Sequence, residues 1–267
     1  NDAMNSLKLN YDQIASQYNQ RYPASQTWER GQALLELARQ TNAKTILEVG
    51  SGTGFWLNLL NQTGAAMYGL DYSMGMLQQA KGQPAPLFLS RGLGTQLPYR
   101  SAAFDLLYCV DAIHHFGDHR AFILEAYRLL KPGGALAVIG HDPHEGSSNW
   151  YAYDYFDHVY DNDLRRYPSG SSVLTWMEQV GFHSVTSQVV EHIQNVHVGE
   201  AILNDPFLKH NATSQLALLD EQTYEAGLER IKQALSTAKE NGEQIVFRSN
   251  IYVKMFLGYK PRGVHSA

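Results

Sequence analysis

The residues with the clearest chemical potential are Gly50, Ser51, Gly52, Thr53 and Gly54, which follow the run Ile46-Leu47-Glu48-Val49. Three alternate glycines at the end of a buried strand allow φ > 0. They also bring backbone N–H groups close to a bound molecule, because glycine carries no Cβ. Asp71 follows Gly54 by 17 residues and closes the next apolar stretch. A carboxylate there can accept hydrogen bonds from both hydroxyls of a ribose. The pattern is E-x-G-x-G-x-G. A dinucleotide fingerprint, G-x-G-x-x-G, would need glycine where Phe55 stands. A second group of residues could move protons: His114, His115, His141, Asp142 and His144. Imidazole titrates near pH 6.5, which suits a base at neutral pH, so His141, His115 and His114 are the candidates. His141, Asp142 and His144 could also bind a metal. Three polar residues on one short loop are ordinary turn chemistry, however, and no metal site is expected.

These residues need a scaffold that puts strand ends side by side. Tyr11, Ile14, Ala15 and Tyr18 form a helical stripe, and a second helix is expected over 28–38. Strands are expected at 45–49, 66–70, 87–89, 104–110 and 135–140. Helices separate them, with Ser73 as an N-cap and Gly64 and Gly82 as stops. Lys131-Pro132-Gly133-Gly134 should break the fourth helix before the fifth strand. A strand from 185 to 190, extendable to 196, and a last one over 245–260 bring the number to seven. Strict β–α alternation predicts an α/β, doubly wound, mostly parallel seven-stranded sheet with helices on both faces. Tyr224, Leu228, Ile231 and Leu235 mark an amphipathic helix in the less regular second half.

Further segments fall in a telling order. Asp71-Tyr72-Ser73-Met74-Gly75-Met76-Leu77, Leu97-Pro98-Tyr99 with Phe104-Asp105-Leu106, His114-His115-Phe116 and Leu130-Lys131-Pro132-Gly133-Gly134 follow the glycine turn; Tyr11-Asp12 and Tyr18 precede it. Together they resemble the class I S-adenosylmethionine-dependent methyltransferases, in particular the UbiE-like (type 11) group, over residues 11–142 and again in the final strand. The resemblance implies a Rossmann-like fold, S-adenosyl-L-methionine as cofactor and methyl transfer to a small-molecule acceptor. It implies cofactor contacts from Tyr11, Tyr18, Glu48, Gly50, Ser51, Gly52, Gly54, Asp71, Tyr72, Met76, Gly92, Leu93, Cys109, Val110 and Asp111. The family's adenine-binding Asp has no counterpart, since Leu93 stands in its place. Two other readings stay open: a non-catalytic module that binds the cofactor, and a nicotinamide dehydrogenase, against which Phe55 argues.

One domain is expected across 1–267. Its N-terminal helices span 7–41 and its cofactor-binding core 42–142. Insertions at 143–170 and 197–243 build a helical cap over the acceptor, and the final strand spans 245–260. In the first insertion Trp150, Tyr153 and Phe156 share a helical face that either joins the core or lids the acceptor pocket. Apolar content is 44% and charged content 18%, ordinary values for a soluble globule. A net charge of −5 gives no reason to expect nucleic acid as partner, and no apolar run suggests a membrane span or a signal peptide. The single Cys109 excludes an internal disulfide and fits a reducing, cytoplasmic setting. Homodimer formation is allowed for. Asn1 to Ala3, ahead of Met4, are left out of the fold argument.

Overall fold

The structure, a computed structural model, describes residues 9–13, 15 and 28–263. Tyr18 and Ile14 therefore lie outside the described residues. The strands are β1 (Thr45–Val49), β2 (Ala66–Asp71), β3 (Leu87–Arg91), β4 (Phe104–Val110), β5 (Leu130–His141), β6 (Asn149–Trp150), β7 (His183–Val198) and β8 (Val246–Tyr259). The helices are α1 (Glu29–Gln40), α2 (Phe55–Leu60), α3 (Met74–Ala80), α4 (His119–Leu129), α5 (Tyr151–Tyr155), α6 (Val159–Arg166), α7 (Gly170–Val180), α8 (Ser214–Ala217) and α9 (Glu221–Glu240).

Helix boundaries follow local chemistry. Ser73 accepts from the Met76 amide and Asp118 from the Ala121 amide, each satisfying a donor that a helix start leaves orphaned. Gly181 ends α7 in the left-handed region, where a Cβ would be strained. Ser169, Thr213 and Asp220 cap α7, α8 and α9 in the same way.

The sheet runs β3-β2-β1-β4-β5-β8-β6, with β7 also paired to β8. The first five strands are mutually parallel; β8 is antiparallel to β5, and β7 and β6 are antiparallel to β8. Eight strands therefore stand among the described residues where seven were expected. The added one is the two-residue β6, too short to leave a periodicity. β5 begins at Leu130 rather than at 135, because Leu130 already pairs with Phe104 before an irregularity resets the register at Leu106 and Ala135. The Lys-Pro-Gly-Gly stretch thus ends α4 but stays in line with the strand.

Alternation along the strands divides the core. Leu47, Val49, Leu107, Cys109, Leu136 and Val138 face α4 and α7, while Ile46, Leu106, Tyr108, Ala137 and Ile139 face α1 and α2. Helices therefore cover both faces, and the carboxyl ends of β1, β2, β4 and β5 share one rim. A third cluster joins Trp150, Tyr151 and Phe156 to Ile202, Leu216, Tyr224, Ile231 and Phe247. Its tightest contact lies at Gly227 in α9, where an added Cβ would stand 2.1 Å from the Phe156 ring. Mid-helix glycine costs roughly 1 kcal/mol; the fit of Phe156 against α9 accounts for its presence. No described helix is long and apolar enough to cross a membrane.

Candidate active site

The chain leaves β1 at Val49 and turns through Gly50 (φ 73°), Gly52 (φ 52°) and Gly54 (φ 74°) into α2. The Gly50 and Ser51 amides both donate to the Leu70 carbonyl, at 2.8 and 3.0 Å, so the turn leans on β2. The three glycines differ in what surrounds them. A Cβ on Gly50 would lie 2.6 Å from the Ala112 Cβ, and one on Gly54 would lie 3.0 Å from Leu87. A Cβ on Gly52 would meet nothing within 4 Å. Gly50 and Gly54 serve packing and backbone conformation, whereas Gly52 borders open space.

Asp71 braces that open side. Its Oδ2 accepts from the Gly52 amide and its Oδ1 from the Ser73 amide, each at 2.8 Å. Burial raises its pKa, and the amide hydrogen bonds work against that rise. The Tyr72 amide is a third donor to this carboxylate, which leaves one acceptor direction to spare. Tyr72 and Leu93 are exposed apolar side chains on either side of the β2 and β3 ends, which the Gly92 amide ties together by donating to the Asp71 carbonyl at 3.1 Å.

The side chains of five expected contacts, Glu48, Ser51, Met76, Cys109 and Val110, are buried. The Glu48 side chain is buried beneath the turn and accepts from the Tyr108 hydroxyl at 3.1 Å and from the Leu57 amide in the first turn of α2. Strand alternation puts it on the Ile46 side, under α2, so it caps a helix rather than facing the open space. Burial pushes its pKa well above the carboxylate range. The Met76 side chain packs with Ala15 in a small cluster of its own. Cys109 and Val110 are core residues, and burial pushes the Cys109 thiol up, which makes it a poor nucleophile. What Cys109 and Val110 can offer a ligand is backbone carbonyls, the contact expected of them for a cofactor ammonium group. Likewise the Ser51 side chain is buried, close over Gly69, and its amide is already given to the Leu70 carbonyl.

The N-terminal segment lies against this rim. Asp12 Oδ1 accepts from Ser73 Oγ at 2.5 Å and from the Gly75 amide at 2.8 Å. The Tyr11 hydroxyl and His115 Nε2 are 2.6 Å apart. Next to it opens a cavity of about 420 Å³, lined by Asp111, His114, His141, Tyr153 and Tyr167 on one side and by β7, β8 and the 205–215 segment on the other. Asp111 follows β4 with φ +49°, a strained value for a non-glycine residue of the kind that clusters at functional sites. The buried Arg30 holds it at 2.6 Å and reaches Glu191 with Nε at 2.6 Å. A break in β7 register between Val189 and Glu191 turns that glutamate inward.

The three histidines differ sharply. His114 is sandwiched between His115 and the Tyr167 ring, both at 3.9 Å between centroids, and burial holds its pKa well below 6.5. His115 engages Tyr11 with one nitrogen and Arg166 Nη2 with the other at 3.4 Å. His141 lines the cavity; its Nε2 lies 3.2 Å from the Tyr153 hydroxyl, which donates to the buried Asp163 at 2.7 Å. Burial lowers the His141 pKa too, so its neutral form dominates at pH 7. Asp142 and His144 point to other tasks: Asp142 accepts from the His144 and Gly170 amides, and His144 Nε2 donates to the Tyr167 carbonyl at 2.8 Å. Arg30, Asp163, Arg166 and Glu191 were not singled out from sequence. Arg30 and Glu191 stand 161 residues apart, and nothing local marks either.

Comparison with known proteins fits this geometry. Residues 47–138 match the methyltransferase domain family. A demethylmenaquinone methyltransferase of Corynebacterium kroppenstedtii is 34% identical over 93 residues, which is 35% of this chain and 40% of that protein. A malonyl-acyl-carrier-protein O-methyltransferase of Salmonella typhimurium is 32% identical over 127 residues, 48% of this chain and 50% of that one. The chain thus spans at most about half the length of these relatives. Among solved structures, a putative methyltransferase from an antibiotic biosynthesis pathway of Anabaena variabilis aligns with a TM-score of 0.62 at 20% identity, covering 84% of this chain and 96% of that one. Phosphoethanolamine N-methyltransferase 2 of Haemonchus contortus, in complex with S-adenosyl-L-methionine, aligns with a TM-score of 0.58 at 17% identity, over 94% of this chain and 57% of that one.

Proposed function

We propose that the chain is a class I S-adenosylmethionine-dependent methyltransferase and that it methylates a small polar molecule seated in the cavity beside the glycine turn. The observation that carries this is the pairing of Gly52, open on its outer side, with Asp71, which already grips the Gly52 amide and keeps spare acceptor capacity. The residues fit the cofactor. Gly52 would supply a close backbone approach, Asp71 an acceptor for a ribose hydroxyl, and Tyr72, Gly92 and Leu93 an apolar rim for adenine. We assign Tyr11, the Cys109–Asp111 backbone and the Asp111 carboxylate to its methionine end. When bound, the cofactor supplies an electrophilic methyl on a sulfonium sulfur, so the protein's own work is alignment and proton removal.

His141 is the residue we assign to proton removal. His115 has partners on both nitrogens, and His114 is shut between two rings. The cavity carries more hydrogen-bonding side chains than a hydrocarbon tail would need: Gln194, Asn195, Gln215 and Ser249 line it alongside the acids. That supports a compact acceptor rich in polar groups. The buried free thiol of Cys109 supports a reducing, cytoplasmic setting.

The test is production of S-adenosylhomocysteine by the purified protein with S-adenosyl-L-methionine and a panel of small alcohols, phenols, acids and amines. Turnover with at least one acceptor, abolished in His141→Ala with cofactor affinity intact, is expected. Cofactor binding without turnover across the panel would favour a non-catalytic binding module instead.

A further inference from the structure

Asp111, Arg30 and Glu191 meet on the cavity wall, and they share the guanidinium unequally. Glu191 takes most of it. Its Oε2 accepts from Arg30 Nε at 2.6 Å and from the Arg30 amide at 3.2 Å, and its Oε1 accepts from Nη2 at 3.1 Å. Asp111 receives one bond, from Nη1 to Oδ2 at 2.6 Å. The Arg30 and Glu191 side chains are only 7% and 6% exposed, so that pair is closed to a ligand. The Asp111 side chain is 35% exposed, and no described residue donates to its Oδ1. One cation thus faces two anions, and the reachable part of the excess negative charge is Asp111 Oδ1. Among the described residues that line the cavity, Arg30 is the only arginine or lysine, and burial disfavours the charged forms of His114 and His141. The backbone fixes Asp111 as well: its amide donates to the Ile139 carbonyl at 2.8 Å.

The fold gains little from such a pair, because desolvating two charges offsets much of their attraction. Its effect on Asp111 is larger. A guanidinium is a planar fork of N–H donors that fits a carboxylate bidentately. Left with Asp111 alone, Arg30 could turn two prongs to it and cancel its charge. Glu191 prevents this by occupying Nε and Nη2. We propose that Arg30, Glu191 and Asp111 form an ammonium site, in which Glu191 engages the guanidinium so that Asp111 Oδ1 keeps its charge for the methionine ammonium of the cofactor. Arg30 and Glu191 are positioning residues; Asp111 and the carbonyls at the end of β4 make the contact. The site rests on the assignment of Asp111 to the cofactor's methionine end made above, and deepens it. It also gives a purpose to the register break in β7, which brings Glu191 to the guanidinium. One positive group is the ligand this balance suits: an ammonium offsets the excess charge, whereas a carboxylate or phosphate would add to it.

The competing explanation is a purely structural tie, since Glu191 also accepts from the Arg30 amide in the first turn of α1 and so pins that helix to β7. Isothermal titration with S-adenosylhomocysteine and with its deamino analogue, which has hydrogen in place of the ammonium, separates the two. Wild-type protein should bind the deamino analogue about 10- to 100-fold more weakly, the worth of a hydrogen bond between charged groups. In Glu191→Gln the side chain keeps its size, but the three residues become formally neutral. The gap between the two ligands should then close to about threefold or less, through loss of S-adenosylhomocysteine affinity. Arg30→Met combined with Glu191→Gln removes the cation too and restores the excess negative charge. The gap should then reopen to about tenfold or more. A structural tie predicts the reverse: the double variant is the more damaged, and both ligands weaken alike. Wild-type protein that binds the two ligands equally overturns the proposal. So does a Glu191→Gln protein that keeps the full gap, or a folded double variant in which the gap stays closed. The wild-type comparison needs no variant to fold. Protein that binds neither ligand overturns the cofactor reading and the proposal together, whereas equal binding overturns the proposal alone.

Discussion

Replacing Gly52 by alanine should separate folding from cofactor binding. Gly52 adopts φ +52°, and a Cβ there would find nothing within 4 Å. The only folding penalty is the left-handed backbone, about 1–2 kcal/mol for an L-residue. In a domain of this size that lowers Tm by roughly 2–8 °C. The new methyl group, however, projects into the open space beside Asp71 that a ligand must enter. A steric clash of one added methyl costs about 1–3 kcal/mol, roughly 10- to 100-fold in affinity. Gly50→Ala is the counter-case: its Cβ would sit 2.6 Å from that of Ala112 at φ +73°. Overpacking and strain together should cost about 2–5 kcal/mol of stability. Calorimetric unfolding with titration of S-adenosylhomocysteine reads both quantities. A folded Gly52→Ala protein that binds within twofold of wild type would refute the claim that this turn faces the cofactor.

Three further outcomes follow from particular contacts. Asp71→Asn exchanges one carboxylate oxygen for an NH₂ group facing either a backbone amide or a ribose hydroxyl, so cofactor affinity should fall about 10- to 100-fold by titration; unchanged affinity would remove Asp71 from the site. Gly227→Ala raises helix propensity by about 1 kcal/mol yet must displace the Phe156 ring 2.1 Å from the new Cβ. Urea unfolding should therefore show a net loss, and a gain would mean the α5–α9 packing is misread. Burial raises the Asp163 pKa from 3.8 to about 6, so the folded state holds that proton more tightly than the unfolded chain. Its contribution is most favourable below pH 3.8 and is lost as pH rises through 6. Relative to wild type, Asp163→Asn should gain roughly 2 kcal/mol between pH 4.5 and 7, and a stability difference that stays constant with pH would contradict the assignment.

What the sequence made legible was local. Glycine turns, caps and apolar runs of strand length are written over a few residues, so the first five strands and their helices could be placed from 45 to 141. β6 escaped because two residues carry no period. Glu48 resembled a ligand because it ends near the glycines, but one step of strand alternation sends it under α2. The acceptor side was largely illegible for a different reason. His141, Tyr153 and Asp163 come from a strand end and two helices, and Arg30 meets Asp111 and Glu191 from three distant segments. Tyrosines and acids are common along this stretch, and only tertiary packing selects the few that meet.

The central claim is that the Gly50–Gly54 turn and Asp71 form a binding site for a sulfonium nucleoside. Isothermal titration of the purified protein with S-adenosyl-L-methionine and, separately, S-adenosylhomocysteine tests it most directly. Saturable binding of one molecule per chain, competitive between the two and weakened in Gly52→Ala, is the expected result. A well-folded protein that takes up neither compound at millimolar concentration would contradict it.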